Sequence, residues 1–154
     1  MQRVTNCIII DNGHLLLLKK PRRGWYAIPG GKMEQGESIK ESVVREYREE
    51  TALTIHDPEL AGAFTFSIYE NDSLVHEWMM FTFICKTYEG TLTDYCAEGV
   101  LKWIPVEHIH DLPMAEGDRK IFEHVLANKS MLYGSFSYTE DFELLNFRLD
   151  SSAS

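Results

Sequence analysis

Glu46, Glu49 and Glu50 stand at i, i+3 and i+4 in the run Arg45-Glu46-Tyr47-Arg48-Glu49-Glu50. On an α-helix those positions share one face. Carboxylates crowded there repel one another and weaken the helix. A hard divalent cation that takes oxygen ligands, Mg2+ or Mn2+, offsets that repulsion. The same residues also support a plainer reading. Glu41–Arg45 and Arg45–Glu49 have i, i+4 spacing, which suits a solvated helix face laced by ion pairs. The flanking sequence favours the cation site.

Ser38-Ile39-Lys40-Glu41 has the pattern of a capping box, which predicts a helix starting at about Ile39. Ile39, Val43 and Tyr47, with Val44, then form the buried stripe. Arg45, Glu46, Glu49 and Glu50 lie off its centre, and Glu37 falls in the preceding turn. Upstream, Pro29-Gly30-Gly31 ends the strand-like run Trp25–Ile28 and reads as a turn. Glycines there permit positive φ and close approach of the main chain to a ligand. Such a turn can aim backbone carbonyls at the cation that the carboxylates hold.

Taken together, these residues resemble the signature of the Nudix hydrolases, the family that includes the MutT-type nucleotide-pool enzymes. That signature is Gly-x5-Glu-x7-Arg-Glu-U-x-Glu-Glu-x-Gly-U, with U a bulky aliphatic residue, and Gly31, Glu37, Arg45, Glu46, Glu49, Glu50 and Leu53 fit it. Tyr47 stands where the pattern has an aliphatic residue, so its hydroxyl needs a partner or a wet edge. Ala52 stands where the pattern has glycine, which bears on how the helix ends.

The resemblance implies an α/β fold: an α/β/α sandwich around a mixed β-sheet, here with an added C-terminal β-hairpin. It implies hydrolysis of a nucleoside diphosphate derivative by water attack at phosphorus. It implies Glu46, Glu49 and Glu50 as metal ligands, with the Gly30 carbonyl as a further ligand. Glu46 or a distant glutamate would deprotonate the water. Glu98, in the turn-rich stretch 89–100, is the chosen distant acid, with Asp94 and Glu89 as competitors. The Arg45 guanidinium would orient a carboxylate, and Glu37 would fix the guanidinium. Gly31 and Lys32 fall on the substrate side. Arg22 and Arg23 either reach substrate phosphate or solubilise a loop. The charge balance agrees. A chain of formal net charge −9 meets a polyanionic substrate only if metal ions convert its acidic cluster into a phosphate site.

With 154 residues, 44% hydrophobic and 25% charged, the chain suits one domain with a real core. The expected organisation is a Nudix domain over 1–130, a hairpin extension of it over 131–150 and a disordered tail over 151–154. No signal peptide and no run of transmembrane length are read from the sequence. Cys7, Cys85 and Cys96 are widely spaced without a Cys-x-x-Cys pair, which points to a reducing, cytoplasmic setting. His108 and His110 point apart on a helical turn and read as solvated or partly buried. The acidic balance argues against an extended nucleic-acid surface. It leaves a small nucleotide, or one nucleotide at an RNA end, as partner.

Residues 3–10 and 14–19 read as a hairpin around Asn12-Gly13. Glu59–Tyr69 and Leu74–Thr87 read as a second, with Leu101–Ile104 as a further strand. Val106–Ile109 reads as a helical turn and Asp118–Ala127 as a helix. Met131–Tyr138 and Phe142–Leu149 read as a last, aromatic hairpin turning at residues 139–141, which either covers a sheet edge or forms a homodimer contact.

Phe64, Phe66, Trp78, Phe81 and Trp103 are candidates to stack on a base, of which one or two are expected to face a pocket. Glu77 beside Trp78 is placed to accept from a guanine edge. A guanine nucleotide, either 8-oxo-(d)GTP or the ppGpp/pppGpp type, is the leading substrate class. RNA 5′ ends, dinucleoside polyphosphates and ADP-ribose are alternatives, and a non-catalytic nucleotide sensor is an alternative of another kind.

Overall fold

Cys7-Ile8-Ile9 and Leu15-Leu16-Leu17-Leu18 do not alternate with polar residues, and every one of them is buried. Strands covered on both faces read this way. The computed structural model describes residues 1–127 and 130–151. In it, β1 (Gln2–Asp11) and β2 (His14–Lys19) turn at Asn12 and Gly13, both at positive φ. The chain continues through β3 (Tyr26–Ala27), β4 (Gly30–Lys32), α1 (Ile39–Thr51) and β5 (Thr54–His56). The long hairpin β6 (Glu59–Glu70) and β7 (Ser73–Cys85) follows, then β8 (Thr87–Glu89), β9 (Val100–Pro105) and a 3-10 turn at Val106–His108. α2 (Glu116–Ala127), β10 (Leu132–Thr139) and β11 (Leu144–Ser151) complete the described residues.

Among the described residues one mixed sheet runs β11-β10-β6-β7-β1-β2-β3, with β4 on β1 and β9 on β2. β1–β7 and β6–β10 are parallel and the other pairs antiparallel. Strand alternation divides the apolar side chains between two layers. Cys7, Ile9, Leu16 and Phe83 pack with Val43 and Tyr47 of α1. Ile8, Leu15, Leu17, Phe64 and Phe136 pack with Ile121, Phe122 and Val125 of α2. The result is the expected α/β/α sandwich.

Several boundaries differ from expectation, each for a local reason. Pro29-Gly30-Gly31 is not a positive-φ turn. Gly30 and Gly31 lie in β4, opposite Asn6 and Thr5 of β1. Their use is close approach: a Cβ on Gly30 would collide with the Thr5 carbonyl, and one on Gly31 with the Glu46 carboxylate. β7 ends at Cys85 rather than Thr87, because Thr87–Glu89 leaves the main sheet to pair with β5. α2 begins two residues early, since the Tyr138 hydroxyl accepts from the Gly117 amide at 2.7 Å and satisfies a first-turn N–H. Phe142 is not a strand residue. It sits in the turn between β10 and β11 at φ 62, where the Thr139 hydroxyl accepts from the amides of Asp141 and Glu143.

The C-terminal hairpin extends the sheet: β10 lies parallel to β6 and covers that edge. It leaves β11 as the outer strand, with Leu145 and Phe147 exposed. Residues 152–154, most of the expected tail, lie outside the described residues.

Candidate active site

The capping box forms as its sequence requires. The Ser38 hydroxyl accepts from the Glu41 amide, and the Glu41 carboxylate accepts from the Ser38 amide at 2.8 Å. That fixes where α1 begins, and so which way its acidic face looks. Val43 and Tyr47 anchor the opposite face in the core. The Tyr47 hydroxyl is buried among them without a hydrogen-bond partner.

Arg45 is the hub of the charged face. It grips Glu37 through two parallel hydrogen bonds, Nε to Oε2 at 2.6 Å and Nη2 to Oε1 at 2.9 Å. Its Nη1 also donates to Glu46 at 3.0 Å and to Glu49 at 2.8 Å. Nη2 donates to the Lys32 carbonyl at 3.1 Å and so ties the helix to the end of β4. The guanidinium holds the Glu37 carboxyl down to about 2, helped by the Glu34 amide. Glu37, chiefly through its hydrogen bonds, raises Arg45 further. One arginine thus orients three carboxylates and offsets part of their charge.

Glu50 is different. Its carboxylate accepts from the Gly30 amide at 3.1 Å, one turn of helix from the Arg45 cluster. Burial pushes it up to about 7, and the negative charges of Glu98 and Glu46 push the same way. The Gly30 amide and Lys20 oppose the rise without cancelling it. Glu98 therefore lies within electrostatic reach of Glu50, although it comes from the loop between β8 and β9. Gly99 makes this possible: a Cβ there would collide with the Lys19 carbonyl, so glycine lets the loop close against β2. Asp94 is exposed on the same loop and Glu89 faces His56 at 3.4 Å on β8.

Among the described residues no three acidic, histidine or cysteine side chains are already gathered into a metal-holding cluster. Arg45 draws Glu46 and Glu49 one way and the Gly30 amide draws Glu50 another. The donor set nonetheless fits a hard cation. It is all oxygen, and Glu50 is a desolvated carboxyl beside the negative charges of Glu98 and Glu46, an arrangement that a cation would relieve.

A cavity of about 820 Å3 opens beside this face. Gly30, Gly31, Lys32, Glu46 and Glu98 line it, and Lys20, Arg22 and Arg23 come from the loop after β2. Its floor is the sheet, through Val4, Asn6, Phe66, Trp78 and Met80. Asp118 of α2 and Tyr138, Glu140 and Phe142 of the C-terminal hairpin complete it.

Of the five aromatic candidates, Phe66 and Trp78 reach the cavity, stacked on each other at 5.3 Å. Phe64 is core, while Phe81 and Trp103 pack on the α1 layer. Glu77 is not brought to the cavity. It neighbours Trp78 in a strand, so it faces the other side of the sheet, where the Ser67 hydroxyl donates to it at 3.2 Å. Arg22 is exposed on the rim, whereas Arg23 is committed elsewhere, donating to the Asp141 carbonyl at 2.8 Å. His108 and His110 are exposed and away from the site.

The sequence reading did not single out Lys20, Asp118, Tyr138, Glu140 or Phe142. Asp118 is the most telling of these. Burial pushes its carboxyl up to about 6, against the opposing pull of Lys20. Strand alternation is the signal that would have removed Glu77, and the position of Asp118 in the first turn of α2, off the stripe of Ile121, Phe122 and Val125, is the one that would have drawn attention to it.

Comparison with known proteins bears directly on this geometry. The model of the NUDIX domain matches residues 1–125. The Nudix hydrolase YvcI of Bacillus subtilis is 51% identical over 150 residues, which span 97% of this chain and 95% of that protein. A crystal structure of a MutT protein from Bacillus halodurans is 53% identical and superposes with a TM-score of 0.95, covering 97% of this chain and 98% of that one. The CTP pyrophosphohydrolase of Escherichia coli is 28% identical over 82% of this chain and 93% of its own length. A signature helix set against β4, on a sheet that superposes along nearly its whole length, places the chain in the Nudix hydrolases, the family of pyrophosphohydrolases that act on phosphoanhydrides.

Proposed function

We propose that the protein is a Mg2+- or Mn2+-dependent pyrophosphohydrolase of guanine nucleotides, of the 8-oxo-(d)GTP or ppGpp/pppGpp type. The observation that carries this reading is that one cavity joins the signature face to a base-sized aromatic lining. Glu46 and Glu98 line it together with Phe66, Trp78 and the half-buried Asp118, and Glu50 lies within electrostatic reach of Glu98 and Glu46.

Glu46, Glu49, Glu50 and the Gly30 carbonyl would hold the cation. When bound, it neutralises phosphate charge and makes water easier to deprotonate. The chain's own residues do the rest. Arg45, braced by Glu37, sets the directions of Glu46 and Glu49. Glu46 or Glu98 takes the proton from the attacking water. Lys20, Arg22 and Lys32 supply positive charge along the cavity for phosphates that the carboxylates would otherwise repel.

Trp78, which stacks on Phe66 at 5.3 Å and on His76 at 5.1 Å, presents ring surface to the cavity as apolar contact for a base. Asp118, rather than Glu77, is the half-buried carboxylate of the cavity placed to accept from the N1–H and exocyclic amine of guanine, with Glu140 and the unpartnered Asn6 Oδ1 as further acceptors in the same lining. An ionised carboxylate accepts from both donors, and an adenine edge does not present that pair.

The test is hydrolysis of a panel by purified protein with Mg2+ or Mn2+, resolving every product. The panel holds 8-oxo-dGTP, dGTP, GTP, ppGpp, CTP, ADP-ribose, a diadenosine polyphosphate and a triphosphate-ended RNA. Selective metal-dependent cleavage of a guanine nucleotide is expected, and the products identify the phosphorus attacked. Preference for CTP or ADP-ribose would overturn the guanine assignment. Tight metal-dependent binding without cleavage of any member would replace the enzyme by a sensor.

A further inference from the structure

Two residues with long side chains sit at positive φ on facing parts of the cavity rim: Arg23 at φ 68 and Phe142 at φ 62. Large side chains rarely adopt that conformation, and where they do the surroundings hold them there. Here the two side chains meet. The Arg23 guanidinium lies 5.0 Å from the Trp25 ring and 5.5 Å from the Phe142 ring, within range of cation–π attraction to both. It also donates to the Asp141 carbonyl. Trp25 meets Phe142 edge to face at 6.2 Å, and Tyr138 backs Phe142 at 5.5 Å.

These contacts join the loop after β2 to the tip of the C-terminal hairpin across a large gap in sequence. The hairpin lies beyond residues 1–125, the part that matches the family's domain model. The tip is therefore an addition to the shared domain, and it is built into the wall of the cavity.

We propose that this tip is a specificity element: Phe142 and Trp25 form an aromatic wall for the base of a nucleotide, and Arg23 is the positioning residue that latches the wall shut. The inference rests on the nucleotide-hydrolase reading above. Arg23 acts on the rings and the Asp141 carbonyl, which leaves phosphate to Arg22 and the lysines. The latch suits a flat guanidinium, which can lie against both rings while its Nη1 donates to the Asp141 carbonyl, whereas an ammonium is a compact point charge on a flexible stem.

Phe142→Gly is the informative variant, because glycine adopts φ 62 without strain and the turn survives loss of the ring. Its kcat and KM are measured with 8-oxo-dGTP, dGTP and dCTP beside those of the wild type, Phe142→Trp, Arg23→Lys and Leu145→Ala, an exposed residue on the same hairpin away from the cavity. The expected result for Phe142→Gly is a rise of about tenfold or more in KM for the purine nucleotides, with a smaller change in kcat and a reduced preference over dCTP. Phe142→Trp should restore the preference, Arg23→Lys should share the defect, and Leu145→Ala should match the wild type. Unchanged KM and base preference in Phe142→Gly overturns the proposal, as does an equal loss of kcat on every nucleotide with a lowered Tm. A wild type that cleaves no nucleotide fails earlier and removes the underlying reading with it.

Discussion

Between Gly30 and Glu50 a single run of chain supplies the carboxylates, their arginine and the glycines that let them approach. The rest of the cavity lining draws Trp25, Trp78, Asp118, Tyr138 and Phe142 from segments scattered through the fold. The first region is held by contacts of short sequence separation: a capping box, an i, i+4 pair and a two-pronged arginine. The second is held by packing between a loop, a helix start and a hairpin tip. Chemistry that every phosphoanhydride shares can be kept in a local motif. Discrimination among bases has to be assembled by tertiary structure, so it can change while the motif stays fixed.

The sharpest way to break that division is to damage the local motif alone. Glu49→Gln and Glu50→Gln should each lower kcat by orders of magnitude and leave the far-UV circular dichroism spectrum unchanged. Either substitution removes a charge without changing shape. Full activity in both variants would refute the metal assignment. Arg45→Lys should have the next largest effect, a loss of about 10- to 100-fold in activity. Lysine keeps the charge but cannot grip Glu37 with two parallel bonds while reaching Glu46, Glu49 and the Lys32 carbonyl. The base preference of Arg45→Lys should equal that of the wild type. If the preference shifts, the two regions are not separable.

The same division explains what could be read before the structure. The capping box, the Asn12-Gly13 hairpin and the unbroken apolar runs are local signals, and the elements they predict are present. Pro29-Gly30-Gly31 misled because glycine serves two purposes, positive φ and close approach, and sequence does not say which. β5 and β8 are short strands that, among the described residues, pair only with each other, so nothing in their composition marks them. Most of the cavity wall beyond Trp78 was harder to read. Phe142 meets Trp25 and Arg23 only through tertiary packing, and Asp118 is marked in the sequence only by its place off the apolar stripe at the start of α2. Neither belongs to a motif.

Asp118 gives a smaller effect that sharpens the comparison from the far side. Its carboxyl is raised to about 6 in the folded protein, chiefly by burial. In the unfolded chain it titrates at its ordinary, lower value. Between the two the folded state binds a proton that the unfolded state has released. Its stabilising contribution is therefore complete at the acid end and is lost as pH rises through about 6. Asp118→Asn removes this slope. The variant should gain on the order of 1 kcal/mol over the wild type between pH 4 and pH 7 in urea denaturation without metal or nucleotide. It should also lose preference for guanine nucleotides while kcat on its best remaining substrate stays near the wild-type value. A difference in stability that does not vary with pH would show that Asp118 is not desolvated.

The smallest effects fall where this chain departs from the family pattern inside the local motif. Ala52 ends α1 at φ 69 and ψ 8, with its N–H donating to the Arg48 carbonyl. A left-handed residue is what this helix end requires, and glycine takes that conformation without the crowding a Cβ brings. Ala52→Gly should therefore stabilise the protein by about 1 kcal/mol. Tyr47→Phe should add a similar amount, because it removes a buried hydroxyl that has no partner and keeps the ring in the core. Each gain corresponds to a rise of about 2–4 °C in Tm for a chain of this size, readable by calorimetry. Both residues lie on the face of α1 away from the cavity or at its end, so base preference should not move with either substitution. A Tyr47→Phe variant that is less stable than the wild type would mean that the hydroxyl has found water beneath the helix.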